Sequence, residues 1–289
     1  MSTPERTSGV NGVIHDIGYQ RYQGPRLGKR YAMWSLYVHS LRTAFGLGRG
    51  FRAKLLPWSL GGAATIAGLV FMIISTQTGL QVMGYVDLIG SLSYVVVIFL
   101  AVAAPEMVSR DLGNTLMPLY LSRPLSSADY ALSKLAALVS GVFLTLAPSM
   151  VVMFAGNAFS TKDGVTGVLD HAGQFASGIA AVAIHAVVLA ALALPLASLS
   201  GRRIFASTLV LAVFLISAPI SQGLAEFSGA PEVPGMIYPV TLLNGVDHWL
   251  LGGTNADPGV WGPMYGVVTL LLTCAAVGLL LLRYRKVTS

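Results

Sequence analysis

Six long apolar runs constrain this chain more than any other feature of its sequence. A bilayer core about 30 Å thick is crossed by roughly 20 apolar residues in a helix that rises 1.5 Å per residue. Charged residues make up only 10% of the chain, and its mean hydropathy is +0.70. These properties predict an all-α integral membrane protein with six transmembrane helices. The runs occupy residues 55–74, 85–104, 130–155, 175–197, 204–225 and 261–282.

The distribution of basic residues predicts the orientation of the spans. All but one of the 18 lysines and arginines lie before the first span, between spans two and three, in the first turns of span three, between spans four and five, or after the last span. The exception is Lys162. Basic flanks remain in the cytoplasm during insertion, so both termini are predicted to be cytoplasmic in a multi-pass protein of the cell membrane, either a plasma or an inner membrane.

The net charge of +6 is explained without a nucleic acid partner, because basic cytoplasmic loops lie beside anionic lipid. The lipid bilayer is therefore the expected partner of these charges. Cys274 is the only cysteine, which excludes an intrachain disulfide.

The N-terminal region divides into a predicted cytosolic tail, residues 1–30, and an amphipathic helix with a basic linker, residues 31–54. The six-span domain then covers residues 55–286. In "YAMWSLYVHSLRTAFGL", residues 31–47, an apolar set recurs at helical spacing and predicts a helix that lies in the cytoplasmic interface. That set is Trp34, Val38, Leu41 and Phe45.

A second amphipathic segment is predicted on the outer side, between spans five and six. It falls between Pro239 and Gly252 in the long connection 226–260. Tyr238 and Trp249 are expected at the level of the lipid headgroups. The apolar residues at helical spacing, which predict a short interfacial or re-entrant helix, are Leu242, Leu243, Val246, Trp249, Leu250 and Leu251.

Familiar ATP-binding and catalytic motifs are not found in the sequence. "GPRLGKR", residues 24–30, has three residues between its glycines and an arginine after the lysine, whereas a P-loop needs four residues and a hydroxyl. "GLGRG", residues 46–50, follows a predicted helix rather than a strand. Hydrolase signatures around serine or paired histidines are also missing. The chain is therefore expected to be non-catalytic.

Few ionisable residues fall inside the predicted spans, which weakens the case for an ion-driven carrier. Asp87 is expected within about a turn of the outer surface and Glu106 at the cytoplasmic end of span two. His185 lies near mid-membrane, where a neutral histidine bonded to a neighbouring helix is favoured over a proton relay. The adjacent pairs Asp170/His171 and Asp247/His248 contain metal-ligand types but no third ligand at a fixed spacing, so no metal site is predicted.

The charged segment from Pro105 to Lys134 interrupts two apolar runs on the predicted cytoplasmic side. Span two is expected to end at Pro105, with "EMVSRD" continuing into water. Asn114 is a candidate N-cap for a short apolar helix that ends at Arg123 and Pro124. Ser126 and Asp129 then predict a capping box at the start of span three. Such a helix suits docking of a soluble partner, although a solvated loop folded back on the bundle is the alternative.

"SRDLGNTLMPLYLSRPLSSADYALSKL" resembles the segment between spans two and three in permease subunits of the ATP-binding-cassette type-2 exporter superfamily. The N-terminal helix and the outer helical segment are similar to that family's elbow helix and outer segment, so the likeness covers residues 31–286. It implies that the segment contains a coupling helix that docks on a separate ATPase subunit. One departure is Asn114, which separates Gly113 from Thr115. The resemblance implies a docking role for Arg110, Asp111, Thr115, Leu116, Leu119, Tyr120, Arg123 and Pro124.

The resemblance further implies a complex of two permease chains, identical or different, with two ATPase subunits. This chain would hold no cofactor, and ATP with Mg would bind to the ATPase partner. The cargo would be amphiphilic, namely a drug, lipid, peptide or glycan, and would contact spans two and five. Two alternatives remain open, an ion-coupled secondary transporter that acts without an ATPase and a non-transporting membrane scaffold.

Overall fold

The computed structural model describes residues 27–78, 83–113, 125–161, 164–228, 232–252 and 259–288. Within these ranges the regular structure is helical, without a β-strand. The helices are α1 Gly28–Ala44, α2 Phe51–Thr78, α3 Tyr85–Gly113, α4 Ser127–Ser160, α5 Gly164–Ser198, α6 Arg203–Ser228, α7 Glu232–Gly235, α8 Pro239–Leu251 and α9 Gly262–Thr288, the last preceded by a 3₁₀ turn at Gly259–Trp261.

Six of these helices, α2 to α6 and α9, are long and apolar enough to cross a membrane. This confirms the predicted fold class of an all-α membrane protein with six spans. The helices extend beyond the apolar runs: α4 has 34 residues and α5 has 35. At 1.5 Å per residue each is about 50 Å long, which exceeds a hydrocarbon core of about 30 Å.

The spans form a buried centre and a more exposed periphery. α3 and α5 are the most buried, with 67% and 61% of their apolar windows inside the protein, against 11% for α2. α3 packs against α5 and α6, whereas α4 packs against α2 and α5. Peripheral spans with apolar exteriors are expected in lipid, which is as apolar as a leucine side chain.

Small residues allow the spans to pack closely. A Cβ atom at Gly68 of α2 would lie 2.6 Å from the carbonyl oxygen of Ser149 in α4, so only glycine permits this backbone approach. On the buried face of α5, Ala181 and Ala186 are fully enclosed. Without a hydrophobic driving force between helices in lipid, close packing of this kind is a main source of association.

The N-terminal helix forms at residues 28–44, three residues earlier than predicted, and packs on α4 and α3. Its buried positions are Leu36, Ser40 and Ala44. The chain then turns at Gly46, where φ is +65° and a Cβ atom would lie 2.4 Å from the Ala53 oxygen. Both features require glycine. This turn directs the chain into α2.

Polar side chains collect at the two ends of the helical bundle. The basic end is defined by Arg49, Lys134, Arg203 and Arg283. The far end is the end with α7 and α8, which fold between α6 and α9. α8 contacts α3, α5 and α9. The predicted helix between Pro239 and Gly252 is confirmed as α8, and Gly252 ends it with a φ of +73°.

Candidate functional site

Glu106 joins three parts of the chain at the basic end. It follows Pro105 in α3, and its side chain is only 8% exposed. The carboxylate forms salt bridges with Arg49, in the connection between α1 and α2, and with Arg203, at the start of α6. A cavity of about 550 Å³ beside it also borders Arg52 and Thr43. Two guanidinium groups offset the cost of burying this carboxylate.

A second buried ion pair connects the C-terminal part of α3 to the start of α4. Lys134 Nζ lies 2.6 Å from Asp111 Oδ2, and the lysine side chain is 3% exposed. Lys134 also donates to the carbonyl of Met107, and the Tyr130 hydroxyl donates to Asp111. The Tyr284 ring of α9 packs on Tyr130 with centroids 5.2 Å apart. Ends of α3 and α4 therefore meet at the Asp111 carboxylate, and α9 packs against them through Tyr130.

The start of α4 is fixed by the predicted capping box. The Asp129 amide donates to Ser126 Oγ at 3.2 Å, and the Ser126 amide donates to Asp129 Oδ2 at 2.9 Å. Both reciprocal bonds of the motif are thus present. Lys29 of α1 adds a salt bridge to Asp129 at 2.8 Å. Helix α1 is therefore connected to the same helix start.

Polar contacts also hold the C-terminal end of α5. The guanidinium group of Arg283 donates to the carbonyl oxygens of Ser198 and Leu199. These are carbonyls at a helix end, where partners within the helix are lacking. The bond links α9 to the α5 terminus on the same side of the bundle as Lys134.

Most of the predicted docking residues lie outside the described residues, namely Thr115, Leu116, Leu119, Tyr120, Arg123 and Pro124. Arg110 lies near the end of α3, and only its backbone is described. Asp111 is turned inward onto Lys134 rather than toward a partner. The structure thus places Asp111 at the base of the segment 114–124.

The expected exit of the chain into water after Pro105 is wrong. α3 continues to Gly113, and both Glu106 and Asp111 are buried. The physical reason is charge compensation, because each carboxylate is paired with one or two cations from other parts of the chain. A run such as "EMVSRD" does not reveal these partners, because they are supplied by Arg49, Lys134 and Arg203 from distant parts of the sequence.

The predicted apolar face of the N-terminal helix is only partly buried. Leu41 and Phe45 pack against the core, and the Phe45 ring lies 5.7 Å from that of Phe99. Val38 lines an apolar groove between α1, α2 and α4. Trp34 is 63% exposed and stacks on Tyr37 at 5.1 Å. The placement of this helix in the membrane interface stays a prediction.

Acidic and histidine side chains meet around α8, which the sequence did not predict. His185 Nδ1 of α5 lies 3.2 Å from Asp247 Oδ2 of α8, with both side chains at most 1% exposed. His248 Nε2 of α8 lies 3.6 Å from Asp87 Oδ1 of α3. Two His–Asp pairs therefore connect α8 to two different spans. Burial raises the pKa of Asp247 from its ordinary value of 3.8 to about 8.

A polar cavity of about 180 Å³ borders this cluster. Three buried oxygens in residues that line it, Asn244 Oδ1 and both carboxylate oxygens of Asp247, accept no hydrogen bond from the described residues. Asp87 also receives the backbone N–H of Gly84 at 3.2 Å. The lining residues are Val86, Asp87, Gly90, Ser91, Asn244, Asp247 and His248.

The helical register of α8 indicates from the sequence that Asp247 is buried. Asp247 follows Leu243 by four residues and Val240 by seven, so it lies on the same buried face as these two. The apolar residues alone predict the helix, and its register then places the carboxylate on their face. His185 is expected to bond to a neighbouring helix; its hydrogen bond is instead to Ala181 of its own helix, while Asp247 of α8 lies 3.2 Å from its ring.

The candidate metal ligands named from the sequence lie in the described part of the chain. No group of three or more His, Cys, Asp or Glu side chains converges within the described residues. The pairs Asp170/His171 and Asp247/His248 also differ in surroundings, because Asp170 is exposed on α5 whereas Asp247 is buried.

The class of protein is therefore a multi-pass α-helical membrane protein with charged clusters at both ends of its bundle. No protein-family model matches the chain, and no curated protein matches it at a significant level.

Proposed function

We propose that this chain is the permease subunit of an ATP-binding-cassette exporter, in which segment 114–124 docks on a separate ATPase subunit. The resemblance of residues 105–134 to the coupling segment of such permeases is the first support. The observation that carries the proposal further is the buried Lys134–Asp111 pair at 2.6 Å, which joins the two helices that flank this segment. A force applied to the segment would reach both helices together.

The surrounding contacts support the same role. Segment 114–124 is followed by a capped helix start at Ser126 and Asp129. Glu106, less than two helical turns before Asp111, is bridged to Arg49 and Arg203. Motion of the end of α3 is thereby coupled to α6 and to the N-terminal connection. Packed helices and salt-bridge networks with discrete arrangements are the physical means by which such coupling travels.

The remaining features of the assembly belong to the same proposal. The basic end faces the cytoplasm of the cell, because it holds the lysines and arginines that the positive-inside rule assigns there. A second permease chain packs along α6, whose apolar side chains Leu215, Ile216 and Ile220 are exposed in the single chain. ATP and Mg are bound by the ATPase pair, and an amphiphilic cargo passes between the facing spans, α3 and α6.

Co-purification tests the proposal directly. The tagged chain is co-expressed with ATP-binding-cassette ATPase subunits from the same genome, and the purified complex is assayed for stoichiometry and ATP hydrolysis. A complex with equal numbers of the two chains is expected. Leu119→Asp and Leu116→Asp should each reduce ATPase recovery at least tenfold, because a charge would enter an apolar docking face.

Leu27→Asp is the matched control, since Leu27 is 56% exposed just before α1 and lies outside the docking segment. It should leave the complex intact. If Leu116→Asp and Leu119→Asp both retain the complex and its ATPase activity, segment 114–124 does not dock the ATPase.

A second candidate function is ion-coupled transport by this chain alone, which the buried His185–Asp247 pair favours. Buried ionisable groups at membrane depth commonly mark ion or proton pathways. The candidate requires transport by the purified chain in liposomes under an ion gradient, without ATP or an ATPase, and loss of that transport in His185→Ala. Transport that depends on ATP and the ATPase subunit would exclude it.

A further inference from the structure

We propose that Asp247 of α8 and His185 of α5 form a proton-binding site inside the membrane domain, in contact with the polar cavity lined by Asp87 and His248. The site would bind one exchangeable proton between α8 and α5. This inference does not depend on the proposed function, because proton binding is a property of this chain by itself.

The bonding around His185 sets its proton arrangement. Nδ1 lies 3.1 Å from the carbonyl oxygen of Ala181, and a carbonyl oxygen only accepts hydrogen bonds. Nδ1 therefore carries a proton, and Asp247 Oδ2 lies 3.2 Å from the same nitrogen. His185 Nε2 is buried without a partner among the described residues. An exchangeable proton thus has two places, the Asp247 carboxyl and His185 Nε2.

Burial makes a neutral pair the stable arrangement. The side chains of His185 and Asp247 are 0% and 1% exposed, and an isolated charge at such a position is costly. A protonated carboxyl beside a neutral imidazole avoids that cost. When the proton leaves, the carboxylate has no hydrogen-bond donor among the described residues, because the His185 Nδ1–H is directed at Ala181, and water in the cavity must solvate it.

The cavity gives the proton a route to the pair. Its volume of about 180 Å³ exceeds the roughly 30 Å³ that one water molecule occupies in the liquid. Asp247 lines it, and the unpartnered oxygens of Asn244 and Asp247 provide acceptors for water inside it. A polar cavity of this size with several polar neighbours is suitable for ordered water.

The other ionisable groups around α8 are few. From α3 they are Asp87 and Tyr94, from α5 His185, from α9 Tyr265, and on the α8 segment itself His248 and Tyr238. Asp87 is close to His248, so each carboxylate has its own histidine. The hydroxyl groups of the tyrosines titrate at high pH, so they do not interfere with the titration of the Asp247 carboxyl.

Infrared difference spectroscopy of the full chain in lipid nanodiscs tests the site. The sample is exchanged between pH 6 and pH 9.5, and the carbonyl band of protonated carboxylic acids is followed. We expect a band that disappears with a midpoint near pH 8. Carbon-13 labelling of aspartate in the unsubstituted chain should shift the band, which identifies its source without any substitution.

The band should be lost in Asp247→Asn and retained in Asp170→Asn, because Asp170 is an exposed aspartate of α5. His185→Leu replaces a polar ring 3.2 Å from Asp247 Oδ2 with an apolar side chain and should move the midpoint upward by at least half a pH unit. Absence of an aspartate band in the unsubstituted chain, its persistence in Asp247→Asn, or an unchanged midpoint in His185→Leu would overturn the proposal.

Discussion

Lys134 Nζ lies 2.6 Å from Asp111 Oδ2, so α4 and α3 are joined on either side of segment 114–124. The lysine is almost completely enclosed, and it also bonds to the Met107 carbonyl. Removing one member of a buried pair leaves an uncompensated charge, which costs ~3–5 kcal/mol. Lys134→Met should therefore unfold at a clearly lower temperature in a thermal stability assay of the purified protein.

The control for Lys134→Met uses a second ion pair of the same end. Lys29 is 54% exposed beside Asp129, and exposed pairs contribute only ~0–1 kcal/mol. Lys29→Met should leave the unfolding temperature nearly unchanged. The double variant Lys134→Met/Asp111→Asn should recover much of the stability lost in Lys134→Met. If Lys29→Met and Lys134→Met lower the unfolding temperature equally, the burial of the Lys134–Asp111 pair is contradicted.

Glu106 provides a separate prediction about the coupling of α3 to α6. Glu106→Gln leaves Arg49 and Arg203 without their carboxylate, and a hydrogen bond to a charged group contributes ~1.5–3 kcal/mol. The unfolding temperature should fall, and the fall should become smaller in Glu106→Gln/Arg203→Gln. A double-mutant cycle measures this interaction. Strictly additive effects would show that the two residues do not interact.

Two glycines of α2 make a matched pair for testing helix packing. A Cβ at Gly68 would meet the backbone oxygen of Ser149 at 2.6 Å, whereas a Cβ at Gly62 would meet nothing within 4 Å. Gly68→Ala should force α2 away from α4 and lower the unfolding temperature. Gly62→Ala should be neutral or stabilise by up to ~1 kcal/mol, because alanine favours the helix. If Gly62→Ala lowered the unfolding temperature more than Gly68→Ala, the packing of α2 on α4 would be contradicted.

The raised pKa of Asp247 predicts a pH dependence of stability. The carboxyl has an ordinary pKa of 3.8, and burial raises it to about 8 in the folded protein. Between these values the folded state holds a proton that the unfolded state has released. The stability that this proton provides is complete below about pH 4 and is lost as the pH rises through 8.

Unfolding temperatures measured from pH 6 to pH 9 check this sign. They should fall with rising pH in the unsubstituted chain, and the slope should be smaller in Asp247→Asn. Asp170→Asn, which changes an exposed carboxyl, should keep the original slope. If Asp247→Asn and the unsubstituted chain have the same slope, the carboxyl does not titrate in this range.

The fold was predictable because lipid demands long apolar helices, and such runs are visible in a sequence. The capping box at Ser126 and Asp129 was also predictable, since the motif is local. Helix α8 followed from the apolar spacing between Pro239 and Gly252. These features depend on residues that are near one another in the chain.

The polar clusters were not predictable in the same way, because their members come from distant helices. Glu106 and Asp111 looked like solvated residues until Arg203 and Lys134 were brought against them by the packing of α6 and α4. Asp247 and His185 are on different helices, α8 and α5, and only the fold places them 3.2 Å apart. The spacing of residues in the sequence does not indicate which side chains of distant helices will pair.

Site-specific photocrosslinking from position 120 tests the central claim most directly. A photoreactive phenylalanine derivative replaces Tyr120, membranes from the native host are irradiated, and the adducts are identified by mass spectrometry. Tyr31, 55% exposed on α1, is the matched control position. An adduct with an ATP-binding-cassette ATPase subunit from position 120, altered in yield by ATP with vanadate, is the predicted result. Adducts with lipid alone, or equal ATPase adducts from positions 120 and 31, would contradict it.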